Sequence, residues 1–179
     1  MPRKPREEIA GGIHHVFARG NDRQRIFVDD ADRAVYIGLL RTVIARLQWR
    51  CLTYCLMRNH VHLLIETPTP NLGVGMQRLQ GIYARSFNRR HGRSGHLFQS
   101  RYGCVRVEDD AQLWMTVGYI VRNPVAAGLC AEPEEWRWSG HGAIGGRSDQ
   151  WLDTGRLLAY LAALGGDPHE RYAECVAGA

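Results

Sequence analysis

Two runs separated by a two-residue turn constrain this chain more than any other feature. The first is Cys51 to Met57 and the second is His60 to Glu66, with only Arg58-Asn59 between them. Each is too short for a stable helix pair and rich enough in β-branched and aromatic residues to form strands, and the spacing suggests an antiparallel hairpin. Side chains of a strand alternate between two faces, so Val61, Leu63 and Ile65 share one face and His60 and His62 the other. The apolar face demands a packed layer over it, which implies a sheet with helices laid on it.

The flanking patterns supply that layer. A strand is expected within Gly11 to Gly20, over His14-His15-Val16-Phe17-Ala18, closed by Arg19-Gly20-Asn21-Asp22. Asp29, Asp30 or Asp32 is placed to cap a helix whose apolar positions are Val35, Ile37, Leu39, Leu40, Val43, Ile44 and Leu47. Thr67-Pro68-Thr69-Pro70-Asn71 breaks the chain, and a second helix from Val74 to Asn88 carries Met76, Leu79, Ile82, Tyr83 and Phe87. A basic glycine-containing loop, His91 to His96, leads to a strand from Tyr102 to Val107. Glu108-Asp109-Asp110 then opens a third helix, which Asn123-Pro124 is expected to stop near Arg122, because the residue before proline is pushed out of helical dihedrals. Beyond Pro124 the pattern weakens: Trp136 and Trp138 are expected to pack onto the core, and Leu157 to Leu164 reads as a terminal helix. The order β-α-β-β-α-β-α predicts an α+β fold, a ferredoxin-like antiparallel sheet with helices packed on it. The 179 residues fit a basic arm over 1–10, a main domain over 11–146 and a helical extension over 147–179.

Several function classes drop out. No apolar run approaches the roughly 20 residues of a membrane span, and the start lacks the apolar stretch of a secretory leader, so a cytoplasmic protein is expected. Five cysteines, Cys51, Cys55, Cys104, Cys130 and Cys175, form no zinc-type pair and are odd in number, which favours free thiols over a disulfide framework. Charge is more informative. The formal net charge is +5, and between Glu66 and Glu108 no acidic residue interrupts Arg78, Arg85, Arg89, Arg90, Arg93, Arg101 and Arg106. Arginines without local counter-charge suit a phosphate-bearing polymer, because the guanidinium is a planar donor fork that stays charged at any working pH.

Two motifs carry chemistry. His60 and His62 point the same way from a rigid strand, and two neutral imidazoles side by side can occupy adjacent positions on a divalent metal. Two ordinary histidines on a polar face would give the same pattern. In the third helix, Leu113, Trp114, Val117, Ile120 and Val121 cluster on one side at 100° per residue. Tyr119 and Asn123, four apart, fall together on the opposite side with Gln112, Met115 and Thr116. An asparagine oxygen suits Mg²⁺ or Mn²⁺, and it would leave the Tyr119 hydroxyl close by. A surface tyrosine and a helix-ending asparagine are the plainer alternative.

Together these residues resemble the single-tyrosine HUH nucleases, in particular the REP-associated tyrosine transposases. The resemblance rests on His14 to Phe27 with its Arg-Gly-Asn turn, Met57 to Glu66, Tyr83 to Tyr102 and Tyr119 to Leu129, stretches that lie in the family's order and span about two thirds of the chain from first to last. It implies an HUH nuclease fold over 11–146, with His60 and His62 as metal ligands, Asn123 as the third ligand, and Tyr119 as the nucleophile. It further implies Mg²⁺- or Mn²⁺-dependent cleavage and joining of single-stranded DNA at hairpin-flanked sites through a 5′-phosphotyrosine. The expected DNA contacts are Arg19, Asn21, Arg85, Arg89, Arg90, Arg93, His96 and Arg101. The resemblance implies, finally, a bacterial, nucleoid-associated protein that is a monomer or homodimer. The alternative is a catalytically inactive, domesticated module that grips hairpin DNA or RNA without cutting it.

Overall fold

The computed structural model describes residues 9–147 and 149–178, so most of the expected basic arm over 1–10 lies outside the described residues. Four strands, β1 (Gly12–Arg19), β2 (Arg50–Leu56), β3 (His60–Thr67) and β4 (Gly103–Val107), form one antiparallel sheet in the order β2-β3-β1-β4. The connecting helices are α1 (Asp30–Leu47), α2 (Leu72–Arg90) and α3 (Asp110–Ala126). A short helix α4 (His141–Ile144) and two terminal helices, α5 (Thr154–Ala162) and α6 (Pro168–Ala177), complete the chain. Every strand and helix expected from periodicity is present within a few residues, and the α+β fold is as anticipated; α4 and α6 had no clear periodic signal.

Local chemistry starts the helices. The Asp29 carboxylate accepts from the Asp32 N–H at 3.1 Å to begin α1, and Asp109 accepts from the Gln112 N–H at 2.7 Å to begin α3. Each satisfies an orphan amide and places negative charge at the positive end of the helix dipole.

Register then decides which side chains meet. β1 pairs with β3 so that Val16 faces Leu63 and Ala18 faces Val61. Those residues, with Leu40 of α1 and Leu79 and Tyr83 of α2, form the core on one side of the sheet. The opposite face carries Leu52 and Leu64, buried against Leu113, Val117, Ile120 and Val121 of α3 and against Leu157, Leu161 and Tyr172 of α5 and α6. The terminal helices are therefore part of a packed layer. Arg122 fastens the end of α6 to α3 by donating to the Val176 and Ala177 carbonyls, at 3.4 and 3.0 Å.

One boundary is corrected. α3 does not stop at Asn123-Pro124 but runs through both to Ala126, with Pro124 buried inside it. The true stop is Gly128 at φ 64°, where Gly128 N–H donates to Val125 at 2.9 Å and Leu129 N–H to Pro124 at 2.9 Å. That paired closure satisfies the last carbonyls, and a proline this close to the end removes only one helical hydrogen bond. Asn123 thus keeps helical geometry, one turn beyond Tyr119.

A second correction concerns the arginine run. Arg90 has counter-charges after all: it lies 2.6 Å from Asp29 and 2.5 Å from Asp32, both brought across by α1. Asp32 is nearly fully buried, and His91 approaches it at 3.0 Å as well. Burial works against its charge, but the hydrogen bonds from His91, the Val28 N–H and Arg90 outweigh it and hold the carboxyl below its ordinary range. Arg93 is likewise engaged, donating to Gln24 at 2.6 Å and lying over Phe87.

Glu66 ties the layers together. It is 3 % exposed and accepts from Arg50 at 2.9 Å, Arg156 at 3.1 Å and Tyr160 at 3.0 Å, which joins β2, β3 and α5. Glu66→Ala leaves three donors without their acceptor. The expected loss is on the order of 2 kcal/mol, below the roughly 3–5 kcal/mol of wholly buried pairs because both guanidiniums are partly exposed. A lower urea midpoint with unchanged slope checks this; an unchanged midpoint refutes it.

Candidate nuclease site

The alternation in β3 places His60 and His62 on the α3 side of the sheet, and the extended α3 lays Asn123 against them. The Asn123 Oδ1 atom is 3.1 Å from His60 Nε2. The rings of His60 and His62 stand perpendicular with centroids 5.0 Å apart, and the Tyr119 ring lies 5.3 Å from that of His62. Tyr119 is 51 % exposed, which agrees with its place opposite the buried stripe of α3. His60, His62, Tyr119 and Asn123, selected from two separate segments, therefore converge. A cavity of about 670 Å³ opens in front of His60, His62 and Tyr119, with Arg19, Arg101 and Ser100 on its walls.

The hydrogen bonds around His60 fix which of its nitrogens is free. Asn59 donates its amide to the Arg23 carbonyl at 3.0 Å, so its oxygen is turned to His60 Nδ1 at 2.7 Å. That oxygen can only accept, so Nδ1 carries the proton and His60 Nε2 presents a lone pair. Nε2 then faces Asn123 Oδ1, a second acceptor. Full protonation of the ring would relieve this contact, but burial lowers the His60 pKa, against the raising influence of Asn123.

His62 Nδ1 is 2.9 Å from His15 Nε2, whereas His62 Nε2 is buried and has no hydrogen-bond partner among the described residues. Burial, reinforced by the neighbouring His15, His60 and Arg19, pushes the His62 pKa down to about 2, and burial lowers that of His15 to about 4. All three rings are thus neutral near pH 7. His60 Nε2 and the Asn123 oxygen carry no proton, and in the tautomer where His62 Nδ1 donates to His15 the His62 Nε2 offers a second lone pair, so that the three form a donor set that a divalent cation satisfies. Among the described residues no group of three His, Cys, Asp or Glu side chains is placed to hold a metal, so the amide of Asn123 is needed to complete such a set.

The sequence reading missed His15. It stacks on His62 with centroids 5.1 Å apart and approaches Tyr119 at 5.9 Å. Alternation along β1 puts His15 and Phe17 on one face, but only the pairing of Phe17 with His62 brings that face to the site. No local signal encodes that pairing.

The expected DNA contacts divide. Arg19 and Arg101 line the cavity, and Asn21 sits just past β1, its N–H donating to the Leu97 carbonyl at 2.8 Å. His96 lines a separate groove of about 1040 Å³ between α2 and residues 95–102, contiguous with the cavity through Gln99 to Tyr102. Arg85 and Arg89 are exposed on α2, which packs on the other face of the sheet from the histidines. Arg90 and Arg93 belong to that same helix end and are bonded as described above.

Comparison with known proteins agrees with this fold. A solved structure of a REP-associated tyrosine transposase bound to a REP hairpin superposes with a TM-score of 0.69, covering 82% of this chain and 87% of that one at 17% identity, a likeness of fold. A Deinococcus radiodurans R1 protein assigned provisionally as a transposase gives a TM-score of 0.45 at 19% identity, over 62% of this chain and 90% of that one, too weak a likeness to carry an argument. No curated protein matches the chain. No described helix is long and apolar enough to cross a membrane. The model of the family described as "Transposase IS200 like" matches residues 10–123, a span that holds both histidines, Tyr119 and Asn123, and the chain belongs to that family of IS200-like transposases.

Proposed function

We propose that the protein cuts and rejoins single-stranded DNA at hairpin-flanked sites, with Tyr119 as nucleophile and His60, His62 and Asn123 as ligands of Mg²⁺ or Mn²⁺. The carrying observation is the meeting of two acceptors, His60 Nε2 against Asn123 Oδ1 at 3.1 Å, beside the buried and unpartnered His62 Nε2 and next to an accessible tyrosine. When bound there, a divalent ion supplies Lewis-acid polarisation of a phosphate oxygen and favours the ionised form of a nearby phenol.

The chain's own groups supply the rest. Tyr119 Oη releases its proton to solvent and attacks phosphorus in line, the P–O3′ bond breaks, and the leaving oxygen takes a proton back from solvent to become a free 3′-OH. The product is a 5′-phosphotyrosine. Because the phosphodiester energy is kept in that link, a 3′-OH can reverse the step and join strands without a nucleotide cofactor. His15 holds the ring of His62 by its Nε2, and Asn59 holds that of His60, so both rings are oriented before substrate arrives. Arg19 and Arg101 face the cavity and would bind the phosphates on either side of the cut.

A water-activating hydrolase would need a carboxylate at the histidines. Glu66 lies on their face of β3, but Arg50, Arg156 and Tyr160 occupy it. The deciding experiment is a denaturing gel of the protein with end-labelled single-stranded hairpin DNA from its own gene's flanks, with Mn²⁺ or with EDTA. Label shifted to the mass of the protein, only with metal, is expected. Cut strands without adduct would support the hydrolase, and tight binding without cutting would support an inactive binding module.

The exposed arginines of α2 should contribute affinity without sequence choice. Arg85→Ala with Arg89→Ala is expected to weaken binding of all single-stranded DNAs by a similar factor and to reduce the slope of log K against log salt by about 1.4, roughly 0.7 per lost contact. Loss confined to one sequence would contradict that role.

A further inference from the structure

A second cavity, of about 570 Å³, lies at the other side of the β2–β3 turn. Arg58 lines it, while His60, two residues on, lines the nuclease cavity, so the two sites are neighbours along one edge of the fold. Its inner wall is unusual. Arg33 has only 9 % of its side chain exposed and is surrounded by aromatic rings, with its guanidinium centre 5.6 Å from Phe27, 5.7 Å from Trp136 and 5.8 Å from Trp138. Asp30 at 3.3 Å is its ion-pair partner, and its Nε is buried without a hydrogen-bond partner among the described residues.

Both indoles are fixed by their ring N–H groups. Trp136 donates to the Leu56 carbonyl at 3.2 Å, and Trp138 donates to Asp30 at 2.9 Å. Arg137 lies over Trp138 at 4.8 Å and pairs with Asp30 at 3.4 Å, but both side chains of that pair are exposed, so a planar group that takes its place gives up only a weak surface contact. At the mouth, Arg25 and Arg58 are exposed and have no ion pair among the described residues. Asp30 is already engaged by Arg33, Arg137 and Trp138, but Glu135 borders the same space with one oxygen on the Ala131 N–H and the other left to accept from an N–H group. A flat aromatic wall, a hydrogen-bond acceptor and two unpaired guanidiniums within one small cavity match a single nucleotide: base on Trp138, phosphate on Arg25 and Arg58.

We infer that this cavity binds one unpaired nucleotide of the DNA strand that occupies the neighbouring nuclease site, and so helps select where that strand is cut. The inference rests on the single-stranded DNA reading above. It gives Trp136 and Trp138 a task beyond covering the core.

The test uses the full chain in EDTA, so that nothing is cut, and fluorescence anisotropy of hairpin DNA with a single-stranded tail. An abasic site is moved along the tail one position at a time. Wild-type protein is expected to show one position at which the missing base weakens binding about tenfold. That penalty should fall below twofold in Trp138→Ala. Arg25→Glu with Arg58→Glu changes only exposed side chains and should weaken binding of the intact tail at least tenfold, so the idea can still fail if Trp138→Ala does not fold. A flat abasic profile in the wild type overturns it, as does wild-type affinity in the double arginine variant. Adding Mn²⁺ to the same oligonucleotides separates the two claims. Covalent adduct with a flat profile removes the nucleotide pocket alone, whereas neither binding nor adduct removes the nuclease reading too.

Discussion

Tyr119→Phe is expected to abolish the covalent protein–DNA adduct while leaving affinity for the same single-stranded hairpin within about twofold of wild type. The variant removes one oxygen and keeps the ring, so the contact with the His62 ring at 5.3 Å survives. The side chain is 51 % exposed, and its hydroxyl makes no hydrogen bond among the described residues, so stability should not change. The loss in rate should be at least roughly 10³-fold, because removal of a covalent nucleophile forfeits the whole two-step route. Ser100 also lines the cavity but lies outside α3 and the histidine strand, and Tyr102 is buried. Neither is placed to substitute. The measurement is the amount of label retained on protein after denaturation, with Mn²⁺, against time. An adduct formed by the phenylalanine variant at the wild-type rate would remove Tyr119 from the mechanism.

The second large effect contrasts one substitution at two positions of the same helix. Gly75→Ala should destabilise the protein by about 2 kcal/mol or more, and Gly81→Ala should stabilise it by about 0.5–1 kcal/mol. Alanine is the better helix former at both. At Gly75, however, a Cβ would stand 2.2 Å from the Trp49 ring and 2.7 Å from Leu47 Cδ1. The indole has nowhere to withdraw: Trp49 is 3 % exposed, and its Nε1 donates to Asn71 Oδ1 at 2.5 Å. The overpacking cost therefore exceeds the propensity gain. At Gly81 the nearest atom is Arg85 Nη1 at 3.6 Å, the end of a flexible side chain in ordinary contact. Only the propensity gain remains. Thermal melts should shift in opposite directions, by roughly 2–4 °C per kcal/mol at this chain length. A rise in both would mean that α2 can slide away from Trp49 without cost.

Most of the secondary structure could be read locally, and so could half of the site. The expected strand from His60 to Glu66 and the apolar stripe of α3 follow from periods of two and 3.6 residues, which any sheet or helix imposes whatever surrounds it. Those periods suffice to put His60 and His62 on one face and Tyr119 with Asn123 on one side of a helix. The Asn123-Pro124 stop failed because proline restricts its predecessor only weakly against a buried helix whose last carbonyls are closed at Gly128, four residues further on. The arginine run misled in part for a related reason. Arg90 is surrounded in sequence by other cations, yet Asp29 and Asp32, 61 and 58 residues away, neutralise it.

By itself, then, the sequence determined the elements, their order and the direction each reactive side chain leaves its own backbone, because these depend on dihedral periodicity and caps within a few residues. The tertiary structure alone decided that β1 lies beside β3 with Phe17 opposite His62, which recruits His15, and that α3 crosses β3 where Asn123 reaches His60. It also decided that α5 and α6 close the second core, and that Arg33 is enclosed by Phe27, Trp136 and Trp138. Register and crossing position are settled by burying two apolar faces at once, a condition on the whole chain that no local window of residues contains.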